Sequence, residues 1–155
     1  MSQSVDLRAL EELEQHLKGV LESIPGSRRA LHQEYAALAK ELVDQNIRAT
    51  VNDSHGKIQR WQESRVGSGG GYAAVSPQKG ETGRDSPGAI TNYLESGHRI
   101  RRPSGQDPDY VPRINVPGRV DGRHFYHAAN QQIQLRAIEV AERFAADLAD
   151  KLEGK

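Results

Sequence analysis

The chain of 155 residues contains no cysteine. Disulfide bonds, thiolate zinc sites and cysteine nucleophiles are therefore excluded. Acidic and basic side chains are balanced, with 21 lysines and arginines against 21 aspartates and glutamates, so the formal net charge is zero. This balance gives no global electrostatic reason to expect a nucleic-acid-binding or membrane-surface protein.

Aromatic side chains and long apolar runs are also scarce. Aromatic residues make up 5% of the chain, and the mean hydropathy is -0.74. No stretch approaches the roughly 18 apolar residues of a membrane span. The first residues lack the basic segment and apolar run of a signal peptide. We therefore expect a chain that stays in the cytoplasm where it is made, or in a particle assembled there, with no membrane contact.

Apolar residues at both ends of the chain have helical spacing. Before Pro25 and Gly26, leucines recur at steps of three and four, and a second apolar series runs from Leu31 to Val43. Two antiparallel helices joined by a tight turn, or one long bent helix, both fit this pattern. The same period returns at Phe125 and predicts a C-terminal helix over 123–153.

The middle of the chain has strand-like segments around a glycine run. Ile58 to Val66 has the length of a strand, residues 67–71 contain four glycines, and Tyr72 to Val75 is short and β-prone. This order predicts a β-hairpin with a glycine-rich tip. A disordered linker is the alternative. Trp61 favours the hairpin, because a lone tryptophan usually anchors a core or an interface.

Residues 99–122 predict a long loop, which in a compact domain is usually functional or ordered by a partner. The span from His98 to Arg123 carries six arginines against three aspartates. Such a cluster can hold phosphates or the acidic side chains of a neighbouring subunit. Because Tyr110 is the sole aromatic residue there, a base-stacking platform is absent, which favours protein partners over DNA. The arginines are Arg99, Arg101, Arg102, Arg113, Arg119 and Arg123.

Motifs for catalysis are not apparent. The glycine run at 67–71 lacks the lysine and serine or threonine of a phosphate-binding loop, and it does not form a nucleophile elbow. A metal site of His98, His124 and His127 is conceivable, but no carboxylate stands at a ligand-like offset beside them. Polar or capping roles near a helix start suit these histidines better. We therefore expect no enzyme activity, no cofactor and no metal.

Two short motifs resemble the small tail-completion, or neck, proteins of long-tailed double-stranded DNA bacteriophages. The first is Tyr93-Leu-Glu-Ser-Gly-His98, and the second is Val120-Asp-Gly-Arg-His-Phe125, which opens the last helix. His55-Gly-Lys-Ile58 and Tyr72-Ala-Ala-Val75 are similar, more loosely, to the first and second strands of that family. The motifs occur in the family's order from about residue 27 to residue 152. This resemblance implies that the leucine-rich segment 1–25 is an added N-terminal helix.

The resemblance implies an α+β fold. A small antiparallel β-sheet would be packed by N-terminal helices and a long C-terminal helix, with long loops between them, in a single domain spanning 1–155. It also implies a ring, commonly of six copies, at the head–tail junction of the virion. Its partners would be the portal (connector) and stopper proteins on one side and the tail tube or terminator protein on the other. Contact with the passing genomic DNA is possible.

We therefore expect a structural assembly protein whose contacts with neighbouring subunits and partners lie in the hairpin and the arginine-rich loop. A tail terminator or stopper ring is the alternative within virion assembly. A DNA-binding accessory protein that uses the arginine-rich loop is the alternative from another class. The expected interface residues are Trp61, Tyr72, Arg99, Arg101, Arg102, Arg113, Arg119 and Phe125.

Overall fold

A computed structural model describes residues 8–100 and 118–154. It confirms the α+β fold: helices dominate, and the strands form two separate antiparallel pairs, β1–β2 and β3–β4, in place of one sheet. Arg101, Arg102 and Arg113 lie outside the described residues. The elements in chain order are α1 (Arg8–Thr50), α2 (Lys57–Trp61), β1 (Gln62–Val66), β2 (Ala73–Pro77), α3 (Pro87–Ser96), β3 (Gly97–Arg99), β4 (Arg119–Asp121) and α4 (Phe125–Glu153).

From Arg8 to Thr50 the N-terminal part is one continuous helix, α1. Helix α1 is 43 residues long and runs through Pro25. A proline inside a helix loses one backbone hydrogen bond and costs about 3 kcal/mol. Contacts with α4, β1 and β2 along its length offset this cost. The second of the two alternatives left open by the sequence, one long helix, is therefore observed.

Helices α1 and α4 run antiparallel and enclose the core. Asn46 donates to Gln132 at one end of the pair, and Lys151 donates to Ser27 at the other. The C-terminal helix predicted from the apolar period is thereby confirmed. The core lies where the end of α1 meets the start of α4, and its buried members are Leu42, Val43, Ile47, Phe125 and Ala129.

The first half of the predicted first strand is a helical turn. Asp53 accepts hydrogen bonds from the backbone amides of Lys57 at 2.7 Å and Gln59 at 3.1 Å. A carboxylate that satisfies free amides in this way starts a helix. Helix α2 therefore forms, and the strand begins only at Gln62.

Strands β1 and β2 form the predicted hairpin, with Gln62 opposite Pro77 and Val66 opposite Ala73. Its glycine-rich tip lies against α1, because Arg28 donates to the Gly70 carbonyl and Arg29 donates to the Ser68 carbonyl. The hairpin is thus packed along its own subunit's long helix.

None of the helices in residues 8–100 and 118–154 has an apolar stretch long enough to cross a membrane.

Candidate functional site

The candidate site is the pair of strands at the base of the arginine-rich loop, which we call the loop base (residues 97–100 and 118–123). Helix α3 begins with Ser86 as its N-cap, whose hydroxyl accepts from the Ala89 amide, and with Pro87 in its first turn. It ends at Ser96, and its C-cap is Gly97, whose φ of 74° lies in the left-handed region that favours glycine. The chain then turns directly into β3.

Strands β3 and β4 hold the two ends of the loop together. Gly97 pairs with Asp121, and Arg99 pairs with Arg119. The Ile100 amide extends the pairing by donating to the Gly118 carbonyl at 3.0 Å. The loop is therefore shorter than the predicted span 99–122, because residues near both ends of that span belong to strands. Ile100 and Gly118 therefore lie next to each other.

Two glycines allow the loop base to pack against the end of α3. A Cβ atom at Gly97 would overlap the Val120 carbonyl oxygen, and a Cβ at Gly122 would overlap the Glu95 carbonyl oxygen. Both clashes involve backbone, which cannot move aside as a side chain can. The glycines of the two sequence motifs are therefore needed for the same close approach.

Glu95 joins the loop base to the start of α4. Its carboxylate accepts from the Tyr126 amide at 2.9 Å and from the His127 amide at 3.1 Å. The residue at the N-cap position, His124, makes no side-chain cap and has a φ of 53°. Glu95 therefore supplies from a distance the negative charge and the acceptors that the helix start needs.

A buried polar network lies beneath this cap. Gln62 is 2% exposed, and its amide nitrogen donates to the Ile58 carbonyl at 2.9 Å and to the Thr91 hydroxyl at 3.2 Å. The Tyr126 hydroxyl donates to the Gln62 side-chain oxygen. Burial raises the pKa of the Tyr126 hydroxyl well above its ordinary value, and the charge of Glu95 raises it further. The network ties β1, α3 and α4 into one unit.

The arginines of the loop base face outward. Arg99 and Arg119 stand directly opposite one another across β3 and β4, and both are exposed. Arg119 also donates to the Ser96 carbonyl at 3.3 Å. Like charges opposite one another destabilise a strand pair. An anion bound between them, either a carboxylate or a phosphate, would remove this repulsion.

Exposed apolar side chains lie on the face of the strand pair opposite the two arginines, because successive residues of a strand point to opposite faces. Tyr93, Ile100 and Val120 are all exposed, and the rings of Tyr93 and His98 lie 5.4 Å apart. Apolar anchors next to charged groups are typical of protein interfaces. Val120 stands opposite His98 in the strand pair. The loop base therefore offers both an anion-binding and an apolar surface.

The expected interface residues differ in how exposed they are. Trp61 is partly buried, with the Lys57 ammonium group 4.8 Å from its ring centre. Tyr72 is exposed beside the hairpin tip. The expectation for Phe125 is wrong, because this ring is 0% exposed and packs in the core between α1 and α4. It cannot reach a partner from there.

The three histidines near the loop base lie on β3 and at the start of α4. Within residues 8–100 and 118–154, no group of three histidine, aspartate or glutamate side chains is arranged to hold a metal ion. His98 lies on β3 against Tyr93, and His127 lies on α4 near Gln131. His124 occupies the N-cap position of α4. A role near the helix start fits His124.

Sequence reasoning missed Glu95, Gln62 and Thr91 as organising residues of this site. Glu95 caps a helix that begins about 30 residues later, and local pattern rules do not span such a distance. The one available signal for Gln62 was a polar residue next to apolar ones in a β-prone segment.

Comparison of the chain with protein-family models, curated proteins and solved structures finds no match.

Proposed function

We propose that this chain is a structural virion protein of the phage head–tail junction, a tail-completion protein that forms a ring between the capsid connector and the tail tube. In this proposal it catalyses no reaction. Its work is to bind neighbouring copies, the portal or stopper protein on one side, and the tube or terminator protein on the other.

One observation carries the proposal. The two motifs that resemble the tail-completion family lie more than twenty residues apart, yet they form one unit. Gly97 of the first motif pairs with Asp121 of the second, and Glu95 of the first caps the helix that the second opens. The direct contact between the two motifs supports the resemblance, because both motifs then serve one structural unit.

The loop base suggests where partner contacts lie. It fixes both ends of the arginine-rich segment, and it presents Arg99 and Arg119 on one face and the exposed Val120 on the other. An acidic surface of the connector or of the next subunit would neutralise this pair. Contacts of this kind join subunits without any reacting group.

The test is charge reversal in the phage that encodes the chain. We expect Arg99→Glu combined with Arg119→Glu to yield filled heads and separate tails in electron micrographs, with a loss of infectious particles of at least tenfold. Arg84→Glu is the matched control, since Arg84 is also exposed but lies away from the loop base. Joined, infectious particles at normal yield from the double variant would contradict the proposal.

The same arginine pair favours a second candidate, an accessory protein that binds DNA phosphates. This candidate expects the purified protein to bind duplex DNA at low salt, with an affinity that falls by roughly one logarithmic unit per tenfold rise in salt for each phosphate contacted. Our proposal expects that the arginine reversal abolishes head–tail joining whether or not DNA is bound. Protein that ignores duplex DNA at low salt removes the second candidate.

A further inference from the structure

The first turns of α1 expose an apolar stripe, which we call the leucine stripe (Leu10, Leu13, Leu17 and Leu21). Its members are between 41% and 66% exposed. Helix α4 ends at Glu153, where the imidazole Nε2 of His16 lies 3.3 Å from the Leu152 carbonyl oxygen. The helix α1 therefore continues past the end of its partner, and its apolar face continues with it.

Helix α4 exposes a second apolar stripe on the side turned away from the core, which we call the outer stripe. Leu135 and Ile138 are 75% and 58% exposed. Further along the same side the exposed residues include Ala141, Ala145, Ala149 and Leu152, with one charged residue, Glu142, among them. Large side chains of one helix pack into the spaces left by small ones of another. The leucine stripe and the outer stripe are complementary in this sense.

We propose that the leucine stripe of one copy docks on the outer stripe of the next copy. This inference rests on the proposed function, because it names the contact by which neighbouring subunits of the ring bind. The two stripes differ from each other, so the contact is head-to-tail. Repetition of a head-to-tail contact closes a ring when the rotation between copies allows it.

The surface areas favour this contact over pairing of two leucine stripes. Four half-exposed leucines offer roughly 400 Å² of surface, about half of the roughly 800 Å² that each partner buries in a stable dimer. A head-to-tail contact uses both stripes of every copy and roughly doubles the area buried per chain.

Leu17 and Ile138 of a single chain cannot meet. Tyr35 donates to the Ala137 carbonyl, so Ile138 is level with that part of α1. Leu17 lies about 27 Å further along the helix at 1.5 Å per residue. A disulfide requires Cα atoms within roughly 7 Å. A bond between cysteines at 17 and 138 therefore joins two different chains.

Disulfide crosslinking of the purified full chain tests the contact. The native chain contains no cysteine, so introduced thiols are unambiguous. We expect the double variant Leu17→Cys and Ile138→Cys to give a ladder of dimers, trimers and larger species under mild oxidation. The matched control is Glu12→Cys with Ile138→Cys, because Glu12 lies on the other side of the same turns. It should crosslink at least fivefold less.

The single variants separate the possible contacts. Leu17→Cys alone crosslinks to a dimer if two leucine stripes pair, and that result overturns the proposal. Equal crosslinking of the double variant and its control, or no crosslinking of either, also overturns it. As a second measurement, Leu13→Gln should lower the solution mass from an oligomer to the 17.1 kDa monomer without loss of helix signal. An unchanged mass counts against the proposal.

These outcomes are distinguishable from failure of the proposed function. A ladder from a protein that is absent from the head–tail junction would retain the contact and reject the function. A protein located at the junction without a ladder would retain the function and reject the contact.

Discussion

The carboxylate of Glu95 accepts a hydrogen bond of 2.9 Å from the backbone amide of Tyr126. This contact crosses about 30 residues of sequence, and it connects the end of α3 to the start of α4. It makes the loop base part of the same rigid unit as the long helix.

Replacement of Glu95 should destabilise the start of α4. We expect Glu95→Ala to lower the free energy of unfolding by about 1–2 kcal/mol, because two backbone amides lose their acceptor. Chemical denaturation followed by circular dichroism measures this change. Glu139→Ala is the control, since Glu139 is exposed within the same helix. Equal effects of the two variants would show that the cap adds nothing.

The glycines of the two motifs should tolerate no side chain. We expect Gly122→Ala to lower the free energy of unfolding by more than about 2 kcal/mol, since its Cβ would overlap backbone of Glu95. Gly26→Ala has free space around it within α1, and it should stabilise by about 0.5–1 kcal/mol. Thermal unfolding of both variants checks this contrast, and effects of the same sign would refute it.

The buried network should lose part of its contribution to the free energy of unfolding at alkaline pH. The pKa of Tyr126 is raised in the folded state, so its contribution is present below its unfolded value of 10.0 and is lost as the pH rises above that value. The slope of this loss cannot exceed roughly 1.4 kcal/mol per pH unit, the value for one proton.

Tyr126→Phe should remove this alkaline loss, whereas Tyr72→Phe, at an exposed tyrosine, should keep it. Tyr126→Phe should also lower stability at neutral pH by about 1–3 kcal/mol, since the buried Gln62 oxygen loses its donor. Urea titrations at pH 7 and above pH 10 measure both effects. Parallel pH curves for Tyr126→Phe and the wild type would contradict this account.

The repulsion between Arg99 and Arg119 should lower the free energy of unfolding of the isolated protein. We expect Arg99→Glu to raise the free energy of unfolding by roughly 0.2–1 kcal/mol at low salt, because an ion pair with Arg119 replaces a repulsion. The gain should vanish in 1 M salt. Arg84→Glu serves as the exposed control. A loss of stability at low salt would mean that the two guanidinium groups do not repel each other.

Periodic patterns in the sequence predicted the two long helices, and long-range contacts explain what they missed. The series from Phe125 to Leu148 gave α4, and the glycine run gave the hairpin. Pro25 was expected to end a helix in one alternative, yet contacts of α1 with α4 and the hairpin keep it continuous. Lys57 to Trp61 became helical because Asp53 caps that turn, which composition alone does not reveal.

The site was predicted in part. Arg99 and Arg119 were expected together, and the strand pair brings them opposite each other. Phe125 was assigned to an interface because it follows a recognisable motif, but a large apolar ring at a helix start is equally suited to the core, where it lies. The cap and the network around Gln62 depend on residues far apart in sequence. Local propensity could not identify them.

Electron cryo-microscopy of the joined phage particle tests the central claim most directly. The account predicts a ring of density between the capsid connector and the tail tube that fits the antiparallel pair of α1 and α4 in every copy. A map in which this ring is built entirely by other proteins, with no density that fits the helix pair, would contradict it.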